Sequence, residues 1–248
     1  TCNSSTPTGC RAQTPLFAFG SNPYINPAYT ANNAYATNGI PDRSKTFSEL
    51  QPKLSANWAV DEDISLFASY GFGFRSGGFN SSGSEATINQ YFGNLFYSPG
   101  VPNISGVKDD YKSETSEAAE IGMKSILLDR HLQVNLAAFY TSVEDLQYFN
   151  FFVGPFGLLR VVTNIDEVTI QGIEADFHWN VTDSVSLYGG YSYIDSNIDQ
   201  YNGRPYTKGN KVPYAPDYTG NLGVEWLYPM TSSLKLLARL DATFVGET

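Results

Sequence analysis

From residue 47 onward the chain alternates apolar and polar side chains with a period of two, in one long run after another. In ELQPKLSANWAV, Leu50, Pro52, Leu54, Ala56, Trp58 and Val60 share one face, and Gln51, Lys53, Ser55 and Asn57 take the other. ISLFASYGFGF repeats this through Ile64, Leu66, Ala68, Tyr70, Phe72 and Phe74. The pattern is weaker in ETSEAAEIGMKSILL. It returns in HLQVNLAAFYTSVEDLQYF, in a run ending near Val181, in VSLYGGYSYI, in YTGNLGVEWLY and from Leu234 to Phe244. Such alternation marks strands with two unlike faces. Most runs match or exceed the roughly 9–11 residues that a tilted strand needs to cross a bilayer, against about 5–6 in soluble sandwiches.

The connections keep a rhythm. Asp61–Asp63, Asp129-Arg130, Thr182–Ser184 and Pro229–Ser233 are short, and long segments begin near 75, 150 and 196. The expected fold is therefore all-β: an antiparallel up-and-down meander forming a partial transmembrane β-barrel. It has about eight strands, short periplasmic turns and long extracellular loops. A barrel is required because lipid offers no partner to an open backbone N–H or C=O. Lys53, Lys124, Glu174, Asp176, Glu225, Lys235, Arg239 and Asp241 mostly sit opposite the apolar row. On a lipid face at mid-depth, Arg or Lys would cost about 2–4 kcal/mol. Trp58, Tyr140, Trp179, Tyr218, Trp226 and Tyr228 lie near strand ends and suit interfacial girdles. A soluble antiparallel sheet shares the alternation; the loop rhythm favours the barrel.

Composition agrees. Aromatic residues make up 15% and charged residues only 16%, against about 25% charged in ordinary soluble domains. A net charge of -10 argues against nucleic acid, which binds clustered Lys and Arg. Cys2 and Cys10 lie in a Ser/Thr/Pro/Gly-rich stretch with no flanking histidine. A short-loop disulfide is favoured there over a metal site. Thr1 begins inside a loop-like segment and Thr248 ends a strand-like run, so a portion of a longer chain is expected.

Little in the sequence suggests catalysis. In YGFGFRSGGFN, Gly71, Gly73, Gly77 and Gly78 have no helix after them and no Lys-Ser/Thr, so the stretch is neither a dinucleotide fingerprint nor a phosphate loop. It reads as a strand leaving an apolar belt, with Arg75 as its one candidate contact. His131 and His178 are far apart, Glu117 and Glu120 fall on opposite strand faces, and no nucleophile accompanies Glu174, Asp176 and His178. No enzyme activity, metal site or cofactor is expected. Tyr91, Phe92, Phe96 and Tyr97, with Tyr148, Phe149, Phe151 and Phe152, place aromatic rings on segments read as loops. Of these, Tyr91, Phe92, Phe96, Tyr97, Tyr148 and Phe149 join Arg75 as candidate ligand contacts; girdle anchoring and loop packing are the other uses for such rings.

YGFGFRSGGFN, SETSEAAEIGMKS, VTIQGIEADFHW and the closing LDATFVGET, in that order, resemble the barrel of TonB-dependent outer-membrane receptors over about residues 47–248. The resemblance implies residence in the bacterial outer membrane, contact with its lipid, and energy-coupled uptake of a scarce ligand such as a ferric siderophore. It also implies coupling to the TonB complex through an N-terminal plug. Residues 1–46 would be an extracellular-loop-like segment, and 47–248 a partial barrel in which neither plug nor closing strands are recognisable. Two other readings stay open: a passive porin or adhesin-type barrel, and a soluble β-sheet carbohydrate-binding module.

Overall fold

The computed structural model describes residues 43–81, 83–88, 107–154, 157–231 and 233–247. The strands are β1 (Lys53–Ala59), β2 (Ile64–Arg75), β3 (Gly78–Phe79), β4 (Asp110–Tyr111) and β5 (Glu114–Leu127). They continue as β6 (Leu132–Gly154), β7 (Gly157–Thr182), β8 (Val185–Gln200), β9 (Tyr218–Pro229) and β10 (Lys235–Val245). A short helix, α1 (Ser84–Ile88), lies between β3 and β4, and a 3-10 turn spans Pro205–Thr207. Eight strands form one sheet in the order β1-β2-β5-β6-β7-β8-β9-β10, every pair antiparallel, and β3 and β4 form a separate ribbon. The up-and-down meander is as expected. Among the described residues the sheet is open, with β1 and β10 at its edges.

Three of the four short turns close in the same way. Asp61 Oδ1 accepts the N–H groups of Asp63 and Ile64 at 2.8 and 2.7 Å. Thr182 Oγ1 accepts those of Ser184 and Val185, and Thr231 Oγ1 those of Ser233 and Leu234. A short polar side chain thus replaces the ladder partner that the backbone loses as it reverses. The β5–β6 turn instead holds Leu128, Asp129 and Arg130 at φ of 54°, 55° and 71°.

Register carries the alternation across the whole sheet, because residues directly opposite in an antiparallel pair share a face. One row runs Leu66, Met123, Leu136, Ala175, Tyr191, Gly220. The next runs Ala68, Ile121, Ala138, Ile173, Tyr193, Tyr218. On the opposite face Ser65, Lys124, Asn135, Asp176, Gly190 and Asn221 line up. All eight mid-strand charges named from the sequence fall on this polar face. The apolar face is open: Ile121 is 63% and Leu240 71% exposed. Trp58, Trp179, Trp226 and Tyr228 mark its short-turn end, and Tyr70, Tyr140 and Tyr218 its long-loop end. From the Trp179 level (Leu132) to Tyr140 along β6 is roughly 26 Å at about 3.3 Å per residue. Tilt shortens this towards the height of a bilayer's apolar band, about 25 Å.

On the polar face, glycine opposite an aromatic ring lets the ring lie flat on the sheet. A Cβ at Gly122 would stand 2.3 Å from the Phe67 ring, and one at Gly223 would stand 2.2 Å from that of Tyr188. Each ring covers bare backbone that would otherwise be open.

The second long connection departs from expectation. No loop begins near 150, because β6 and β7 stay paired to Gly154↔Gly157 and rise beyond the neighbouring strands as a hairpin. The reason is burial on one side. Phe152, Val161 and Leu159 pack against Ile88 and Val107, while Val143, Ile165 and Val168 pack with Ile198 and Tyr201. β8 also runs on to Gln200, a few residues past the expected exit. β1 is shorter than its sequence run, starting after Pro52, which has no N–H to give.

Candidate binding site

The raised β6–β7 hairpin organises the long-loop end. Its two faces differ from those of the wall below, because the buried side changes between Val143/Val168 and Leu146/Ile165. At that level Asp145 adopts φ of 55°, and the β7–β8 register slips between Glu167 and Val168. Such irregularities re-aim side chains. Lys112 secures the change, donating to Asp145 at 2.9 Å, while Asn164 Nδ2 donates to the Asp145 carbonyl at 2.7 Å. The hydrogen bond it donates to Asp145 is the main reason that the Lys112 ammonium is held above the usual lysine range.

Beyond Asp145, Leu146, Tyr148, Asn150 and Phe152 share the buried face, and Gln147, Phe149, Phe151 and Val153 the other. The two hairpin aromatics expected to meet a ligand are therefore split. Tyr148 packs against the cluster beside Tyr201 and Val212. Burial first, then Tyr214, raises its hydroxyl above the ordinary tyrosine value. Nearby, buried Asn150 donates to Thr163 Oγ1 at 2.6 Å, and the Tyr201 hydroxyl meets the same oxygen at 3.1 Å. This polar chain fastens the hairpin to the segment after β8. Nothing in the sequence singled it out.

Phe149 lies on the opposite face, with the Arg160 guanidinium 3.9 Å above its ring centroid. Here the connection from β2 to β5 crosses the hairpin. Arg75, Phe79, Ser81 and Tyr111 from that connection enclose a hollow of about 300 Å³ with Phe149 and Arg160. Two amides fix its walls. Asn80 Nδ2 donates to the carbonyls of Lys108 and Val162, and its Oδ1 accepts the Val162 N–H, all at 2.8 Å. Gln147 Nε2 donates to the carbonyls of Ser76 at 2.8 Å and Lys112 at 3.2 Å. The Gln147 N–H meets Glu114 at 2.7 Å, and Glu114 lies 3.9 Å from Arg75. Of the expected contacts, Arg75 and Phe149 are brought together and Tyr148 is not. Tyr91, Phe92, Phe96, Tyr97, Cys2 and Cys10 lie outside the described residues. Arg160 was missed because it stands in a stretch whose pairing was not legible.

The polar face of the wall holds a second concavity, of about 620 Å³, lined by Lys124, Glu120, Glu174, Asp176 and Asn135 among others. Asn135 donates to Asp176 at 2.8 Å, and Lys124 stands over the Phe67 ring. Nearer the short turns, the Tyr188 hydroxyl and Arg239 both donate to Asp241, and His178 stacks on Tyr188 at 6.4 Å. Glu117 accepts the Tyr70 hydroxyl on the apolar face, opposite Glu120. Among the described residues, no three of His, Cys, Asp and Glu are grouped to hold a metal ion.

Comparison with known proteins places this architecture. The family model described as TonB dependent receptor-like, beta-barrel matches residues 25–248. A probable TonB-dependent receptor of Bordetella pertussis, BfrD, is 28% identical over 183 residues, which is 72% of this chain and 20% of that protein. The ferric yersiniabactin uptake receptor FyuA of Yersinia pestis superposes with a TM-score of 0.54 at 20% identity, over 78% of this chain and 25% of that one. BauA, the ferric preacinetobactin receptor of Acinetobacter baumannii, gives 0.52 at 19% identity, over 79% and 25%. The chain thus spans about a fifth to a quarter of the length of these relatives.

Proposed function

The chain belongs to the TonB-dependent receptor-like β-barrel family, and from that premise we propose that it is part of the wall of an outer-membrane receptor. That receptor takes up a scarce ligand, such as a ferric siderophore, with energy supplied through TonB. The observation that carries the reading is the division of faces: the eight mid-strand charges named above on one side, and open apolar rows bounded by tryptophan and tyrosine on the other. Bilayer lipid covers the apolar rows, where a charge would be costly and an aromatic belt is favoured. The polar face lines the lumen. The short turns are then periplasmic and the raised hairpin extracellular.

In this reading residues 1–46 form an extracellular segment and 47–248 the partial wall, although the family match already begins at residue 25. Arg75 and Phe149 contact ligand from the hollow at the long-loop end; Tyr91, Phe92, Phe96 and Tyr97 contribute from the segment before β4. Tyr148 acts as packing. Cys2 and Cys10 pair as a disulfide. The wall is not catalytic.

The test uses the full-length protein. Outer-membrane fractionation, heat-modifiable gel migration and TonB-dependent uptake of a labelled ferric chelate are the expected results. A water-soluble, heat-indifferent product would sink the membrane reading. A barrel that takes up the chelate equally well without TonB would sink the energy coupling.

A further inference from the structure

The hollow between the β2–β5 connection and the β6–β7 hairpin has a charge balance unlike that of the chain around it. Asp and Glu outnumber Lys and Arg by 25 to 15 in the sequence. Two guanidinium groups, Arg75 and Arg160, nevertheless line this hollow, and no carboxylate lines it. Arg75 is shared only loosely with Glu114, at 3.9 Å and with its side chain 57% exposed. Among the described residues Arg160 makes no ion pair within 4.0 Å; its charge rests on the Phe149 ring. A cation on an aromatic face keeps its N–H edge free to donate.

The walls are fixed independently of any ligand. Both polar ends of the Asn80 side chain are taken by backbone groups, and Gln147 Nε2 is held by two carbonyls. These amides are structural. Two guanidiniums, which can only donate, line the hollow together with the side chains of Ser81 and Tyr111. A donor-rich, carboxylate-free hollow of about 300 Å³ is at the small end of ligand pockets and has room for one tetrahedral anion with part of its carrier.

We propose that this hollow is a phosphate-binding site, with Arg160 as its principal contact and Arg75 as its second. The proposal deepens the reading above, since Arg75 and Phe149 are already given to ligand contact there. Arg–phosphate pairing is charge-assisted and often bidentate. The phosphate could belong to a soluble ligand or to a lipid headgroup, since the site lies at the long-loop end of the wall.

Titration calorimetry on the full-length receptor in zwitterionic detergent tests this, with inorganic phosphate in one arm and phosphatidic acid in mixed micelles in the other. Saturable binding in either arm is expected, and the arm that saturates names the source. Arg160→Gln should weaken it at least about tenfold, the scale of one charge-assisted contact, with Arg160→Lys between the two and Arg75→Gln also weaker. Heat-modifiable migration of each variant checks that the barrel is intact. Failure of both arms, or unchanged binding by folded Arg160→Gln, overturns the site. If chelate uptake persists in that event, only the phosphate site falls; if the full-length protein is no barrel, both readings fall.

Discussion

Strand β6 passes through two environments, and its halves are built by opposite rules. Below Val143 the apolar row on its outer face is open: Leu136 is 43% and Tyr140 48% exposed. Above Asp145, Phe152 is 5% exposed and sealed by Ile88 and Val107 from a distant segment. The lower half has no protein core; polar pairs, ladder bonds and rings laid over glycine occupy its other face. The upper half has the dry interior of a soluble domain. Where lipid is the solvent, exposed apolar surface is the stable state. Where water returns, the same residue types must be covered by protein.

The sharpest way to break this contrast is to remove the upper core. Phe152→Ala should cost about 3–5 kcal/mol of local stability. Hydrogen exchange on the full-length receptor should show the hairpin and the α1 region opening together, with the amides of β9 and β10 unchanged. Exchange that rises equally in the wall would show that the two halves are one cooperative unit.

Ala137 and Ala138 test the lower half, being neighbours on opposite faces. Ala138 shares a row with Ile121 and Ile173, whereas Ala137 lies opposite Glu174. Ala138→Arg should destabilise folding into lipid vesicles by about 2–4 kcal/mol. Ala137→Arg, next to a carboxylate in a wet lumen, should stay within about 0.5 kcal/mol. Equal effects in vesicle refolding would mean that the faces have been assigned wrongly.

The wall was readable because one of its faces is polar. Gln133 and Asn135 against Leu132, Val134 and Leu136 leave no choice of phase. The hairpin was not readable, because in LQYFNFFVG aromatic residues occupy both faces and period two loses its contrast. What settles its buried side is contact with Ile88 and Val107, more than 40 residues away in sequence, together with the left-handed turn at Asp145. The site followed the same division. Arg75 was found because it ends a legible strand. Arg160 and the Asn150–Thr163–Tyr201 chain were hidden because their meaning depends on which segments meet.

That polar chain offers a smaller effect. Tyr201→Phe removes the hydroxyl that meets Thr163 Oγ1 and leaves buried Thr163 with one partner fewer, a loss of about 0.5–1.5 kcal/mol. The hairpin should stay folded while the segment after β8 detaches, and protease cleavage around residues 201–217 would report this. Cleavage no faster than in the parent would mean that Val212 and the apolar contacts alone hold the segment.

The smallest effect lies at the junction of the two halves, where Lys112 meets Asp145. The folded-state pKa of Lys112 is raised, chiefly by that hydrogen bond. A raised value means that the folded state favours the protonated form. The contribution is therefore complete below the ordinary lysine value of 10.5 and is lost as pH rises through the higher folded value. The pair is largely open to solvent, the Lys112 side chain being 65% exposed, and screening limits it to no more than about 0.5 kcal/mol. Lys112→Met should lower hairpin protection slightly at neutral pH and remove the difference from the parent above that alkaline window. A difference that persists at high pH would assign Asp145's unusual backbone to Asn164 and the local packing, and the boundary between the two solvents would then not depend on this charge.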